Sequence, residues 1–302
     1  MYKISTEMVS STEINRIATE KQVKTSTIDK DWVLGHFVDA IFSVPECREN
    51  LIFKGGTCLK KCRLPDYRFS EDLDFTAISD KFVFSSSLLE KIVALVTERA
   101  GMFLSIQSLN SLYFNNRHTG YSARVKYWGA EHRKNQQPPN PVRWLTSIKI
   151  EVILYEKMCF AAENAAVLHS YSDKLTENAQ NIPIYSINEV LAEKIRALIQ
   201  RSYSAPRDYY DIWYLSRNIE KIDWKAVVEA FYIKTAFKNL TFSGVEQLIN
   251  SDTDKILQAA WKNSLQHQVA KNALPDYETV RNDLRKLFLR MFQNTCKLPC
   301  EA

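Results

Sequence analysis

Residues 50–57, Asn50-Leu-Ile-Phe-Lys-Gly-Gly-Thr57, contain a short apolar run that is followed, after Lys54, by a pair of glycines. The run is typical of a buried strand, and the glycines permit a sharp turn. Residues 59–62 continue with helical character, so the predicted order is strand, tight turn and short helix. Small residues at such a turn let backbone N–H groups approach a phosphate closely, and the helix start offers its positive end. We therefore predict an anion-binding turn at Gly55, Gly56 and Thr57.

A pair of carboxylates follows this turn. Asp72 and Asp74 are two positions apart around a strand predicted over 73–77, so both side chains point to one face. Two carboxylates on a strand suit Mg²⁺, which prefers oxygen ligands and shares its shell with substrate phosphates. Asp-x-Asp also occurs by chance and in turns.

Glu151 is a candidate third carboxylate, because it interrupts the apolar strand 148–154. A carboxylate there is costly unless it meets a cation or a partner. The alternative interpretation is an outward-facing strand residue paired with Lys126 or Lys149.

Hydrophobic periodicity divides the chain into an α+β first half and a helical second half. In the first half it predicts helices over 29–42 and 82–99 and strands near 105–114, 121–128 and 144–154. In the second half a capping-box pattern, Ser186 to Glu189, opens a helix. Further helical stretches are predicted over 206–217, 224–232, 245–249, 253–265 and 277–292. We expect an N-terminal extension over 1–28, an α+β lobe over 29–170 and a helical lobe over 184–302.

Composition limits the class of protein. The 302 residues are 45% hydrophobic and 12% aromatic, which excludes a disordered chain, and 7 glycines and 9 prolines form no flexible linker. The six cysteines are scattered, as dispersed thiols are. No stretch has the length and apolarity of a membrane span, and the start has no signal-peptide order, so we expect a cytoplasmic protein.

The net charge of +5 is concentrated in one stretch. Residues 117–149 contain one acidic residue, Glu131, and seven basic residues: Arg117, Arg124, Lys126, Arg133, Lys134, Arg143 and Lys149. Such a stretch suits a polyanion. Its alternative is a solvated edge hairpin, since exposed lysine also protects sheet edges from aggregation.

Four blocks of sequence together resemble one known family. They are Lys54-Gly-Gly-Thr-Cys-Leu59, Arg68-Phe-Ser-Glu-Asp-Leu-Asp-Phe75, Leu191-Ala-Glu-Lys-Ile-Arg-Ala-Leu198 and Arg207-Asp-Tyr-Tyr-Asp-Ile-Trp-Tyr-Leu215. In order and type they are similar to the motifs of the AbiEii/AbiGii nucleotidyltransferase toxins, which belong to the DNA polymerase β-like superfamily. The resemblance spans about residues 30–290 and implies a bi-lobed α+β fold, with a mixed sheet in the first lobe.

The resemblance also implies roles for individual residues. Gly55, Gly56 and Thr57 would hold a nucleoside triphosphate (NTP), and Asp72 and Asp74 would bind Mg²⁺. Lys194 and Asp211 would complete the site from the helical lobe, with Lys194 also contacting the NTP. The remaining assignments are Glu151 as third carboxylate, and Arg68 and Ser70 as phosphate contacts or braces of the loop. From the helix pattern alone, Lys194 reads as a solvated position and Asp211 as a partner of Arg207.

The implied activity is Mg²⁺-dependent transfer of a nucleoside monophosphate to an acceptor, with Glu151 or Asp211 activating the acceptor hydroxyl. In the family this points to the 3′ end of tRNA, to a translation block, and to a toxin–antitoxin or phage-defence system with a cognate antitoxin. The basic stretch 117–149 would then face RNA. The alternatives are a transferase acting on a protein or a small molecule, and a non-catalytic nucleotide-binding module.

Overall fold

A computed structural model describes residues 9–132, 136–200, 205–249 and 251–293. The chain divides into two compact units. Unit 1 comprises residues 1–156 and 162–184, and unit 2 comprises residues 157–161 and 185–302.

Unit 1 combines five helices and seven strands within its described residues. The helices are α1 (Ser11–Lys21), α2 (Thr25–Ser43), α3 (Pro45–Asn50), α4 (Gly55–Cys62) and α5 (Ser86–Ala100). The strands are β1 (Leu51–Lys54), β2 (Asp72–Ala77), β3 (Phe103–Phe114), β4 (Arg117–Trp128), β5 (Ser147–Ile153), β6 (Glu163–Ala165) and β7 (Ile182–Ile184).

The seven strands form one mixed sheet in the order β3-β4-β5-β2-β1-β7-β6. β2 pairs with β5 in parallel and with β1 in antiparallel, so it lies in the middle of the sheet. The long hairpin of β3 and β4 turns through Asn115 and Asn116, both with positive φ, as a two-residue turn of this kind requires. The predicted α+β class with an N-terminal mixed sheet is confirmed.

One face of the sheet forms the core of unit 1. Buried side chains alternate along β2, β4 and β5, for example Phe75, Val125 and Ile150, and they pack with α2 and α5 in one apolar cluster. Strand alternation then leaves the intervening side chains on the opposite face. That opposite face carries Asp72 and Asp74.

Helix α2 is buried on almost every side and carries unusual polar residues for such a position. Asp29 is completely buried, and its carboxylate accepts a hydrogen bond from the backbone N–H of Glu131. Burial and the nearby charge of Glu131 raise the pKa of Asp29 to about 7. Between about pH 4 and pH 7, the Asp29 carboxyl therefore stays protonated in the folded state, whereas it is ionised in the unfolded state.

Asp29→Asn is expected to remove a pH-dependent loss of stability. Because the folded pKa is raised, Asp29 lowers stability as the pH rises from about 4 to about 7. The difference in unfolding free energy between variant and wild type should shift in favour of the variant by about 3 kcal/mol from pH 5 to pH 8. Urea unfolding at both pH values measures this shift, with the exposed Asp66→Asn as control. An equal difference at both pH values would refute the raised pKa.

Unit 2 is helical in its described residues. Its helices are α6 (Ile187–Gln200), α7 (Pro206–Asn218), α8 (Trp224–Phe237), α9 (Ser251–Leu265) and α10 (Tyr277–Phe292). The stretch predicted as helical over 245–249 contains instead a single 3₁₀ turn, Val245–Gln247. Across the described ranges of the chain, no helix combines the length and apolarity needed to cross a membrane.

A buried ion pair in unit 2 holds residues 157–160, called the strap below, in place. Lys234 on α8 and Glu189 on α6 are both completely buried, with 2.5 Å between ammonium and carboxylate. Glu189 also accepts hydrogen bonds from the backbone N–H groups of Cys159 and Phe160, and Lys234 donates to the carbonyl of Lys157. The two side chains thereby hold residues 157–160 against the helices.

Candidate active site

The sheet register brings the predicted acidic residues together in unit 1. Asp74 on β2 lies opposite Glu151 on β5, and Asp72 lies opposite Lys149. Since directly opposed residues share a face, all four side chains lie on the polar face of the sheet. On the other side of β2, the buried Lys54 is opposite Asp74. Two carboxylates of β2 thus lie between cationic side chains of both neighbouring strands.

The glycine turn lies directly against this pair of carboxylates. Gly55 begins α4 with φ of +81°, a conformation that favours glycine. A Cβ placed on Gly55 would come within 2.4 Å of Asp74 Oδ2, so only glycine lets the backbone approach this closely. The preceding residue, Lys54, makes no side-chain cap on the helix. The positive end of α4 therefore lies beside Asp74, where it favours a bound anion.

Arg68 and Ser70 line the other side of the turn. A Cβ on Gly56 would come within 2.9 Å of Arg68 Nη2 and 3.0 Å of Ser70 Oγ. Arg68 is buried, and it also donates a hydrogen bond to the carbonyl of Phe69. The guanidinium and the hydroxyl therefore lie close to the turn. The two predicted roles, phosphate contact and brace of the loop, remain predictions.

Thr57 connects the turn to β2. Its hydroxyl donates a hydrogen bond of 2.5 Å to the backbone carbonyl of Asp72, and the residue is almost completely buried. This bond fixes the spacing between the start of α4 and the first carboxylate. Because the Thr57 hydroxyl is used in this bond, the group of Thr57 that can face an anion is its backbone N–H, in the first turn of α4.

Lys61 anchors the far end of α4. It is buried and forms a 2.8 Å ion pair with Asp31 on α2. Burial would raise the pKa of Asp31, but the Lys61 charge and hydrogen bond outweigh it and lower that pKa. The helix that carries the glycine turn is thereby tied to the core helix of the unit.

Glu151 is in an ion pair with Lys149, whose ammonium lies 2.9 Å away. Both side chains are about three-tenths exposed. Glu151 lies opposite Asp74, but among the described residues Asp72, Asp74 and Glu151 do not form a group whose carboxylate oxygens all lie within 4.8 Å of one another. The pairing with Lys149 fits the alternative. The role of Glu151 as a metal ligand stays a prediction.

Gly55→Ala is expected to lower the rate of the reaction at this site by about 100-fold. The new Cβ would collide with the Asp74 carboxylate and strain the positive φ, so the turn and the carboxylate must separate. Gly101→Ala is the matched control, because Gly101 also has a positive φ but a Cβ there meets nothing within 4 Å. Turnover and circular dichroism of both variants test this. Equal activity in the two variants would contradict the role of the close approach.

Lys194 and Asp211 lie together in unit 2. Lys194 on α6 forms ion pairs with Asp211 at 2.7 Å and Asp208 at 3.1 Å, both on α7. Lys194 is only 13% exposed and Asp211 is completely buried, so Lys194 is no solvated helix position. Asp211 is paired with Lys194, where the helix pattern alone suggested Arg207.

A sequence profile matches most of the chain. It describes the nucleotidyl transferase AbiEii toxin of type IV toxin–antitoxin systems, and it covers residues 36–283. The chain belongs to the AbiEii family. It is therefore a nucleotidyltransferase toxin of a type IV toxin–antitoxin system, as the resemblance predicted. A comparison with curated protein sequences gave no significant match.

Solved structures share the fold of this AbiEii family member. MenT4, a nucleotidyltransferase toxin from Mycobacterium tuberculosis, is 18% identical with a TM-score of 0.62, over 97% of this chain and 91% of that one. JHP933 from Helicobacter pylori is 14% identical with a TM-score of 0.52, over 91% of this chain and 95% of that one. At these identities the likeness supports the fold.

The basic stretch of the AbiEii chain is divided among several environments. Arg124, Lys126 and Lys149 lie on the polar face of the sheet, where Arg124 on β4 is opposite Lys149 on β5 and Lys126 is opposite Ser147. Arg124 donates to Ser147, and Lys126 donates to the carbonyls of Pro141 and Val142. Arg117 stacks over the ring of Tyr155, and Arg143 is exposed on a 3₁₀ turn. Arg133 and Lys134 lie outside the described residues.

Sequence patterns missed a second polar cluster in unit 1. The Asp173 carboxylate lies 2.7 Å from His36 Nε2 and 2.7 Å from His169 Nε2, and it accepts a hydrogen bond from Trp32. In the described part of the chain, these three residues are the one group of three potential metal ligands within 4.8 Å of one another. Its contacts join α2 to the loop before β7. The i, i+4 spacing of Trp32 and His36 was the available signal.

Proposed function

We propose that this protein transfers a nucleoside monophosphate from an NTP to the 3′ end of tRNA, with Mg²⁺ held by Asp72 and Asp74. The observation that carries this proposal is the contact between the Gly55 backbone and the Asp74 carboxylate. It supports the proposal because the start of α4, where a helix favours a bound anion, lies beside two carboxylates on one strand face. Nucleotidyl transfer needs this combination, because the triphosphate must be bound and its charge neutralised at the same place.

The donor set suits a hard divalent cation. Asp72 and Asp74 offer carboxylate oxygens on one face of a rigid central strand, and Mg²⁺ prefers oxygen ligands shared with phosphate. When bound, the ion supplies neutralisation of the charge on the triphosphate. Lys149 and Lys54, opposite the two acids, add positive charge to the same surface.

The reaction has a simple balance. The acceptor hydroxyl oxygen forms a bond to the α-phosphorus, the bond from that phosphorus to the bridging oxygen breaks, and pyrophosphate leaves with the electron pair. The hydroxyl proton passes to a carboxylate, Glu151 or Asp211. The N–H groups at residues 55–57 would hold the phosphates, with Arg68 and Ser70 bracing the turn. Glu151→Gln and Asp211→Asn, compared by their pH–rate profiles, distinguish the two candidate bases.

Lys194 and Asp211 are proposed to serve the same reaction from unit 2. Lys194 would neutralise triphosphate charge, and its two carboxylate partners hold the ammonium in place. The support is family membership together with the low exposure of this ion pair.

For the acceptor, the basic residues on the polar face of the sheet support RNA. Arg124, Lys126 and Lys149 share that face with the two acids, and Arg143 is exposed nearby in sequence. Cationic side chains beside a reaction centre attract a polyanion. Modification of tRNA in the cytoplasm would block translation, and a cognate antitoxin would restrain it, in a system that can also serve phage defence.

Charge reversal on this face is expected to weaken RNA binding. Arg124→Glu combined with Arg143→Glu should lower the affinity for tRNA at least about 10-fold at low salt. It should also reduce the slope of log affinity against log salt concentration by about two, because two fewer phosphates are neutralised. Lys91→Glu on α5 is the control, since Lys91 lies on an exposed helix surface and pairs with Glu46. Filter binding across a salt series measures both quantities. Unchanged binding at low salt would contradict the assignment of the surface.

One labelling experiment tests the reaction and its acceptor. Purified protein is incubated with total RNA, Mg²⁺ and each α-³²P-NTP in turn, and the products are separated on a denaturing gel. We expect label in a tRNA-sized band. Label in protein or in a small molecule instead would show that the acceptor is not tRNA. No label with any NTP would favour the non-catalytic alternative.

A further inference from the structure

Unit 2 contains a cavity that the reaction described above does not use. It is a pocket open to solvent among α7, α8 and α10, with a volume of about 440 Å³. Its cationic side chains are exposed. Cavities that hold small ligands begin at about 300 Å³, so this one is large enough for a mononucleotide. All of its lining residues belong to one compact unit.

The charge of the cavity is mainly positive. Arg217 from α7 and Lys286 and Arg290 from α10 line it, against a single acid, Asp283. On α10 the charged positions 283, 286 and 290 are spaced three and four residues apart, so they lie on one face of the helix. Three cations against one carboxylate leave a surplus that suits a phosphate group.

Asp283 positions one of the cations. Its carboxylate accepts hydrogen bonds from Arg217 Nη1 at 2.8 Å and from Trp213 Nε1 at 2.9 Å. The guanidinium of Arg217 also lies over the Trp213 ring, 5.4 Å from its centroid. These contacts offset the charge of Arg217, whose side chain is 57% exposed, so Lys286 and Arg290 carry the positive charge that a phosphate would meet.

The rest of the lining is one aromatic residue, two apolar residues and Ser216. Trp224, the first residue of α8, lines it together with Leu287 and Met291. A tryptophan ring beside cationic side chains is the combination on which nucleobases stack while their phosphates are bound.

We propose that this cavity binds a nucleoside phosphate, with the base against Trp224 and the phosphate at Lys286 and Arg290. The ligand is either a mononucleotide in solution or one nucleotide of an RNA strand, which present the same chemistry. The inference does not depend on catalysis at Asp72 and Asp74.

Binding is tested in the Asp72→Asn/Asp74→Asn background with EDTA present, so that the proposed reaction centre does not contribute. The probe is AMP, followed by equilibrium dialysis and by quenching of tryptophan fluorescence. We expect saturable binding, weakened at least 10-fold by Lys286→Glu/Arg290→Glu and little changed by Arg285→Glu, a charge reversal on the same helix. Trp224→Phe should keep binding but lose most of the quenching.

Two further probes separate the sources of the ligand. A 5′-phosphorylated oligoribonucleotide that binds much more tightly than AMP would assign the site to an RNA strand, and the reverse order would assign it to a mononucleotide. Competition by inorganic phosphate but not by adenosine would show binding without base recognition and would overturn the proposal. So would AMP binding that Lys286→Glu/Arg290→Glu leaves unchanged, or no saturable binding up to 10 mM, on the order of the weakest specific affinities.

Discussion

Replacing Asp72 or Asp74 by asparagine is expected to lower the rate of nucleotidyl transfer by at least about 10³-fold, which is roughly 4 kcal/mol of transition-state stabilisation. Asparagine keeps the shape of the side chain and removes the charge that a divalent cation requires. Both residues lie on the half-buried polar face of β2, so the fold should tolerate the change. Pyrophosphate release under saturating NTP measures the rate.

Asp66→Asn serves as the control for these variants. Asp66 is a neighbouring acid with a largely exposed side chain, 3.5 Å from Lys21. It should retain wild-type activity, and thermal unfolding should show that all three variants remain folded. A folded Asp74→Asn variant with more than about a tenth of wild-type activity would rule out the proposed role of this carboxylate.

The second large effect concerns the stability of unit 2. Lys234→Ala is expected to cost about 3 to 5 kcal/mol, because it leaves the completely buried Glu189 without its ion-pair partner. Lys225→Ala, at an exposed position on the same helix, should change stability by no more than about 0.5 kcal/mol. Urea unfolding followed by the helical circular dichroism signal measures both.

A double variant separates the lost pairing from simple damage to the core. Lys234→Met/Glu189→Gln removes both charges, while the glutamine oxygen can still accept from the backbone N–H groups of Cys159 and Phe160. It should recover at least half of the stability lost in Lys234→Ala. If Lys234→Ala costs less than about 1 kcal/mol, the ion pair does not stabilise the strap.

Local patterns were sufficient for the turn and for the pair of acids. The glycine pair after an apolar run predicted the strand, turn and helix at 51–62, and the alternation along β2 predicted that Asp72 and Asp74 share a face. These features depend on neighbours within a few residues. The profile of the AbiEii family then confirmed the identification that the four blocks suggested.

The partners of these residues were not predictable in the same way. Lys149 faces Asp72 because β2 and β5 pair in parallel across more than 70 residues of sequence, and no local pattern fixes that register. Strand β7 was missed because it has three residues and contains a proline. Helix α2 was predicted from its apolar residues. Because the helix is buried on almost every side, its sequence pattern could not predict that its polar residues are buried and need partners.

Glu189 shows how a correct prediction can rest on an incomplete reason. The capping-box pattern placed the start of α6 correctly, and the Ser186 hydroxyl accepts a hydrogen bond from the Glu189 backbone N–H at 3.1 Å. The Glu189 side chain, however, binds Lys234 and the strap. Lys234 was not identified because the predicted helix ended at residue 232, whereas α8 continues to Phe237.

Binding of Mn²⁺ tests the central claim most directly, since Mn²⁺ replaces Mg²⁺ at oxygen sites and is visible by electron paramagnetic resonance. Titrations in the presence of a non-hydrolysable NTP analogue compare wild type, Asp72→Asn/Asp74→Asn and His36→Ala, which alters the other candidate ligand group. We predict NTP-dependent binding in wild type and His36→Ala, and its loss in the double aspartate variant. Binding that persists in the double aspartate variant, or that disappears in His36→Ala, would contradict the assignment of the metal to Asp72 and Asp74.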